Sequence, residues 1–230
     1  EGPVPGWKLF FPWGGTFSGA GGGGRGKSYG LPHCAGAEFR ARFPFGTVTL
    51  TDPKVSLQIE ITGWSPFTPG DADSSSLPVA ALEYRFANPT DAPVDAVYSF
   101  HAHNFIALRA ENILRHAGPE GSGVLSTENG FVLWQPGTED SPWEQGAFSA
   151  VVDDPDTRVN CAWFRGGWFD PLTVLWKTVA EGTTPEAGPI AEGLPSTGGS
   201  LYVPLHLPPG GEKVLRLRLA WHVPQTWAPT

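Results

Sequence analysis

The sequence contains no methionine and only two cysteines, Cys34 and Cys161, in 230 residues. The missing methionine leads to the expectation of a processed protein or an excised domain rather than a complete reading frame. Two cysteines allow at most one disulfide, and two is also an ordinary count for free core thiols. The compartment stays open on this evidence. Basic residues are scarce, with 15 Lys and Arg against 23 Asp and Glu and a net charge of −8. Tracking a phosphate backbone needs a basic stripe, so nucleic acid is excluded as a partner. No apolar run approaches the ~18 residues of a membrane-spanning helix, so no transmembrane segment is expected. Familiar catalytic and metal signatures are missing too: there is no Cys-x-x-Cys, no His-Glu-x-x-His and no Gly-x-Ser-x-Gly. The run Gly21–Gly24 with Arg25 and Lys27 lacks the Gly-Lys-Ser/Thr ending and the following helix of a phosphate loop. It reads as a flexible loop, and no cofactor is expected.

What the chain does have is 30 Gly, 24 Pro, 10 Trp and 14 Phe, with 40% hydrophobic residues. Disordered chains are poor in such apolar and aromatic residues, whereas short strands joined by turns use both classes. Periodicity supports that reading. Val55, Leu57, Ile59 and Ile61 alternate with polar residues over 55–62, and are expected to face an inter-sheet core. Leu82, Tyr84 and Phe86 repeat the pattern, as do Leu215, Leu217, Leu219 and Trp221. Further strands are predicted over 38–50, 94–108, 131–135, 147–152, 159–164 and 201–207. Asn88-Pro89-Thr90-Asp91, Glu128-Asn129-Gly130 and Pro208-Pro209-Gly210-Gly211 are turn signals, because Pro fixes φ while Gly and Asn tolerate positive φ. One short helix is predicted around 172–180, where Leu172, Leu175, Trp176 and Val179 fall at helical spacing. The stretch 182–199 reads as an exposed loop. The expected fold is an all-β sandwich of antiparallel strands with at most one or two short helices.

Candidate chemistry is sparse. His101 and His103 are two apart, which on a strand puts both rings on one face with Ser99. His116 could complete a zinc site with them. The simpler reading is a polar strand face bonding water or a neighbouring domain, and no metal is assigned. Asp71-Ala72-Asp73-Ser74-Ser75 spaces acidic oxygens like the start of a calcium loop, and Asp153, Asp154 and Asp156 form a second acidic cluster. Both also read as turn residues whose side chains satisfy local N–H groups. A glycosidase needs two carboxylates across one bond, but 23 acidic residues select no particular pair. The surplus of Trp fits sugar stacking, or the core of a sandwich through Trp64, Trp134, Trp163 and Trp221.

Several segments together carry more. They are Phe43-Pro44-Phe45 leading to Val48–Pro53, the long stretch from Glu60 through Trp64-Ser65-Pro66-Phe67 and Asp71-Ala72-Asp73-Ser74-Ser75 to Ala80, and Tyr84–Thr90. Asn104-Phe105-Ile106, Gly166-Gly167-Trp168-Phe169-Asp170 and the closing Leu219-Ala220-Trp221-His222 complete the set. From about Tyr29 to His222 the chain resembles the N-terminal domain of glycoside hydrolase family 116, the non-lysosomal glucosylceramidase and bacterial β-glucosidase family. The resemblance implies a sandwich over 29–230, preceded by a Gly-rich segment 1–28 that matches poorly. It also implies a C-terminal (α/α)6 barrel that carries the retaining Glu nucleophile and Asp acid/base; neither has a counterpart here. The implied partners are that barrel and the carbohydrate or glycolipid substrate of the parent enzyme. Catalytic residues are therefore not expected in this chain. Trp64, Phe67, His101, His103 and Asn104 mix aromatic anchors with polar groups, and are expected near the barrel or the rim of its substrate site. The competing reading puts Trp64 and Phe67 in the core and the histidines in solvent. A free-standing carbohydrate-binding or adhesion module is the alternative function.

Overall fold

The structure, a computed structural model, describes residues 34–106, 121–165 and 171–225. Gly21–Gly24, His116 and Gly166–Asp170 lie outside them. Eleven strands are present among the described residues: β1 (Gly36–Arg42), β2 (Phe45–Thr51), β3 (Gln58–Trp64), β4 (Val79–Ala87), β5 (Val94–His103), β6 (Gly123–Thr127), β7 (Gly130–Gln135), β8 (Gly146–Val152), β9 (Arg158–Asn160), β10 (Gly198–Leu207) and β11 (Glu212–His222). The helices among the described residues are α1 (Ala72–Ser75) and α2 (Pro171–Ala180), with a 3-10 turn at Pro142–Glu144.

Two sheets form, and every strand pairing within them is antiparallel. The larger has the order β1-β2-β3-β4-β11-β8-β7-β6 and the smaller β5-β10-β9. The period-two pattern of β11 explains the stacking. Leu215 and Leu217 are 1% and 0% exposed, while Arg216 and Arg218 between them point outward. β10 answers with Leu201, Val203, Leu205 and Leu207. Contacts between the sheets include Tyr84 against Tyr98, with ring centroids 4.8 Å apart, and Phe100 against Phe131 at 6.4 Å. The result is an all-β sandwich.

Sequence and structure differ in strand bounds, at one added strand and at one loop. The single strand expected over 38–50 is two, β1 and β2, joined by a turn at Phe43-Pro44, where proline has no N–H to continue a ladder. The strands expected over 94–108 and 159–164 end at His103 and Asn160. β3 starts at Gln58, so Val55 lies outside it and is exposed, while Leu57 and Ile59 pack on the core. The cause is a turn over Asp52–Val55, closed by the Val55 N–H to the Asp52 carbonyl and by the Asp52 carboxylate accepting from Lys54 N–H. Second, β6 carries no clean alternation in sequence, yet it pairs along β7 as the edge of the large sheet. Third, residues 196–199 are buried rather than a loose loop. A Cβ on Gly198 would sit 2.5 Å from the Ala102 carbonyl and from the Trp163 ring, so glycine is needed there for close packing.

Antiparallel pairing sends every connection to one of two ends. At one end lie the tight polar turns at 88–93, 128–129, 153–157 and 208–211. Asn129 and Gly210 occupy positive φ there, 56° and 70°, as their turn signals require. Asn88 ties this end together: its amide donates to the carbonyls of Ala92, Leu207 and Pro208, and its side-chain oxygen accepts from Thr90. At the other end lie the longer connections that follow β3, β5, β7 and β9, together with the exit of β11.

Candidate functional site

The expected site residues separate into two groups. His101 sits on β5 opposite Ser200 of β10, on the face turned away from the inter-sheet core. Its Nδ1 is 2.8 Å from the Ser200 hydroxyl and its Nε2 is 2.9 Å from that of Ser99. Ser200 also accepts a 2.7 Å bond from the Trp163 indole N–H. The arrangement that uses every group has Ser200 donating to Nδ1 and Nε2–H donating to Ser99, which is a neutral imidazole. Burial pushes the His101 pKa down to about 4. Tyr202, 1% exposed, lies against the same ring at 5.4 Å, and burial raises its phenol pKa. The strand face carrying His101 is thus a packed polar layer and not a solvated one. Such a ring serves poorly as a proton carrier near neutral pH, because both nitrogens are engaged and the charged form is disfavoured.

Asn104 is 4% exposed. Its amide donates to the carbonyls of Gly123 and Trp134 at 3.2 Å each, and its N–H donates to Thr197. It fastens the end of β5 to β6, β7 and the start of β10. His103 packs edge-on to Trp163 at 6.3 Å. These three polar residues share one region, where His101 and Asn104 are hydrogen-bonded into the fold and His103 packs on Trp163.

Trp64 and Phe67 lie apart from that layer, on the connection-rich end of the large sheet. Trp64 closes β3 and meets Phe45 at 6.1 Å. Phe67 is half exposed and packs edge-on against Phe43 at 4.9 Å; Phe43 itself is 78% exposed. The loop beyond them is built by Asp71, whose carboxylate accepts from the Ser74 N–H and hydroxyl and caps α1. Those bonds hold its pKa below the ordinary value. The Asp-x-Asp spacing therefore works here as a helix start. Asp154 likewise accepts from Asp156 N–H and pairs with Lys213 at 2.8 Å, while Asp153 accepts from Arg216 N–H. On the outer face of the large sheet, Glu212 pairs with Arg85 and Glu83 with Arg216. These carboxylates are engaged in cross-strand and turn contacts. Among the described residues, no group of three or more His, Cys, Asp or Glu is placed to hold a metal.

Sequence reasoning did not assemble the other exposed apolar residues of this end, among them Leu77, Phe105, Trp143 and Val223. Trp221, assigned there to a core alternation, is 36% exposed and joins them through Phe148 at 5.2 Å. Their positions in connections, outside any period, hid them. The available signal was aromatic residues beside Pro, as in Phe43-Pro44-Phe45 and Ser65-Pro66-Phe67.

Fold and surface together define a β-sandwich domain with a polar-turn end and an aromatic end. The family model described as beta-glucosidase 2, glycosyl-hydrolase family 116 N-term, matches residues 7–229. The chain belongs to that family, the N-terminal domains of family 116 glycoside hydrolases. The match takes in residues 7–28, upstream of the motifs quoted above. Among solved structures, a protein described as a kojibiose phosphorylase from human microbiome is 14% identical, with a TM-score of 0.38, over 77% of this chain. The chain spans 18% of that protein's length. Comparison with curated proteins finds no match.

Proposed function

We propose that this chain is the non-catalytic N-terminal β-sandwich of a β-glucosidase or glucosylceramidase-like glycoside hydrolase, supporting a C-terminal (α/α)6 catalytic barrel. Family membership across 7–229 carries the reading. On this reading the carbohydrate or glycolipid substrate is met by the barrel. Trp64, Phe67 and His103 are the members of the expected set that lie near its rim, while His101 and Asn104 act by holding β5 in place.

The test compares the 230-residue chain with the longer protein that this reading requires, using an aryl β-glucoside. The longer protein turns over and the chain alone does not. Turnover by the chain, in a preparation free of contaminating glucosidase, overturns the non-catalytic assignment. A free-standing carbohydrate-binding module would instead show the isolated chain retained on a β-glucoside matrix, with Phe43 and Phe67 as stacking rings.

A further inference from the structure

Among the described residues the large sheet is wider than the small sheet that covers it. Across β1–β3 a row of paired residues runs Phe39, Val48, Ile61 and on to Tyr84 of β4, and the next row ends Leu50, Ile59 and Phe86. Tyr84 and Phe86 meet Tyr98 of β5 at 4.8 and 6.0 Å, which places both rows on the core side of the sheet. Burial falls away along them: Phe86 is 6% exposed, whereas Phe39 at the far end is 68% exposed. The Phe39 ring lies down on the sheet, because a Cβ on Gly46 would meet it at 3.1 Å. These rows hold no charged residue, while Glu38, Arg40 and Glu60 stand on the other face. An apolar surface of this kind, continuous with the core, marks an interaction site. β5 borders it. Among the described residues β5 pairs with β10 alone, so its other edge is open. β10 packs on β7 through Gly199 and Phe131, and β5 packs on β4, so the next position in the small sheet lies over β3.

The chain itself supplies an occupant. The family match begins at residue 7, upstream of the described residues. There Trp7, Leu9, Phe11 and Trp13 alternate with Lys8, Phe10 and Pro12, the period of a strand with one apolar face. A proline is tolerated in a strand at a sheet edge. The chain enters β1 beside the uncovered face, and the 20 residues between Trp13 and Cys34 can span up to about 65 Å. The seven residues of β1 extend only about 23 Å. The tether therefore reaches every point of the face and holds the segment there at high effective concentration. We infer that residues 7–13 dock on the inner face of β1–β3, adding a strand at the open edge of β5 and laying Trp7, Leu9, Phe11 and Trp13 on Phe39, Val48 and Ile61. Main-chain bonds to the β5 edge and side-chain contacts to the sheet below are the two components of such strand addition. Residues 107–120 are a poorer occupant, because they leave β5 and enter β6 at the same end of the sandwich, and one covering strand would carry them to the other. The inference concerns the sandwich itself and holds independently of the proposed catalytic partner.

Two measurements on the 230-residue chain test it. In a Cys34→Ser background, Leu9→Cys is combined in turn with Ala41→Cys, on the inner face of β1, and with Arg40→Cys, on its outer face. A short bismaleimide closes an intramolecular bridge several-fold faster in the first pair than in the second, and the preference disappears in urea. Equal rates in the native protein overturn the inference, since the two targets are neighbours in sequence and differ only in the face they occupy. Carbene footprinting supplies the second arm. Trp7→Ser with Phe11→Ser raises labelling of Phe39 and Val48 several-fold, whereas Lys8→Ser with Phe10→Ser leaves it unchanged. Labelling that does not respond to the Trp7 and Phe11 substitutions shows that another segment covers the face, and overturns the inference. Bridges between two molecules, with protection of Phe39 that grows with protein concentration, assign the face to a second copy and overturn it as well.

Discussion

Single residues decide how the two ends of the sandwich are held. Asn88 is 1% exposed and satisfies three carbonyls through one amide. Removing a buried donor leaves its acceptors unpaired at about 1–3 kcal/mol each. Asn88→Ala should therefore lower stability by about 2–4 kcal/mol in urea titration. Asn88→Asp should also destabilise, because a carboxylate cannot donate to those carbonyls; a neutral outcome for both would remove Asn88 from this role. His101 gives a pH signature. Burial holds its pKa in the folded protein at about 4, below the ordinary imidazole value of 6.5. Between those values the unfolded chain binds the additional proton, so stability is full above about 6.5 and falls as the pH drops toward 4. The His101 contribution to that loss is on the order of 3 kcal/mol. His101→Gln should flatten this part of the stability–pH curve relative to the parent, and an identical slope in both would place the ring in solvent.

At the scale of elements, the period-two rule works wherever a strand is flanked on one face by the other sheet. β11 shows it, since Leu217 is fully buried between charged neighbours. Leu217→Ala should cost about 2–5 kcal/mol through lost transfer energy and a residual cavity. Val55, the outlier of the β3 pattern, should tolerate Ala within about 0.5 kcal/mol. Equal losses at both positions would mean that the turn over 52–55 is absent and that the strand extends back to Val55. β1–β3 illustrate the limit of the rule. They contain no fully buried residue, and Phe39 on β1 is 68% exposed despite its place in a strand. β5 lies over β4, as the Tyr84–Tyr98 contact shows, and among the described residues the small sheet has no strand beyond it to cover β1–β3.

At the scale of the whole molecule, the core is continuous between the two sheets and includes Cys161, a free thiol of 0% exposure. Burial raises its pKa to about 11. With Cys34 replaced by Ser, modification of Cys161 by a thiol reagent should proceed at the rate of global opening and accelerate in step with urea unfolding. Rapid modification under native conditions would show that the β9 side of the core opens locally.

The sequence alone determined the elements whose signals are local. The alternation in β4, β10 and β11, the turns at Asn88, Asn129 and Gly210, and the helix α2 all follow from neighbours within a few residues, which is the range of propensity and turn chemistry. The family was legible for a similar reason, since its motifs are contiguous stretches such as Trp64–Phe67. Tertiary structure alone decided which faces are covered. His101 and His103 read as a wet strand face, yet Trp163 lies 37 residues from the Ser200 to which it donates, and Ser200 lies 99 residues from His101. The burial of Gly198 against Ala102 has the same origin. The aromatic end is likewise a product of topology: Phe43, Leu77, Trp143 and Trp221 share no period, and antiparallel pairing brings their connections to one end of the sandwich. Burial depends on which strands become neighbours, and that is settled by long-range packing beyond the reach of any local pattern.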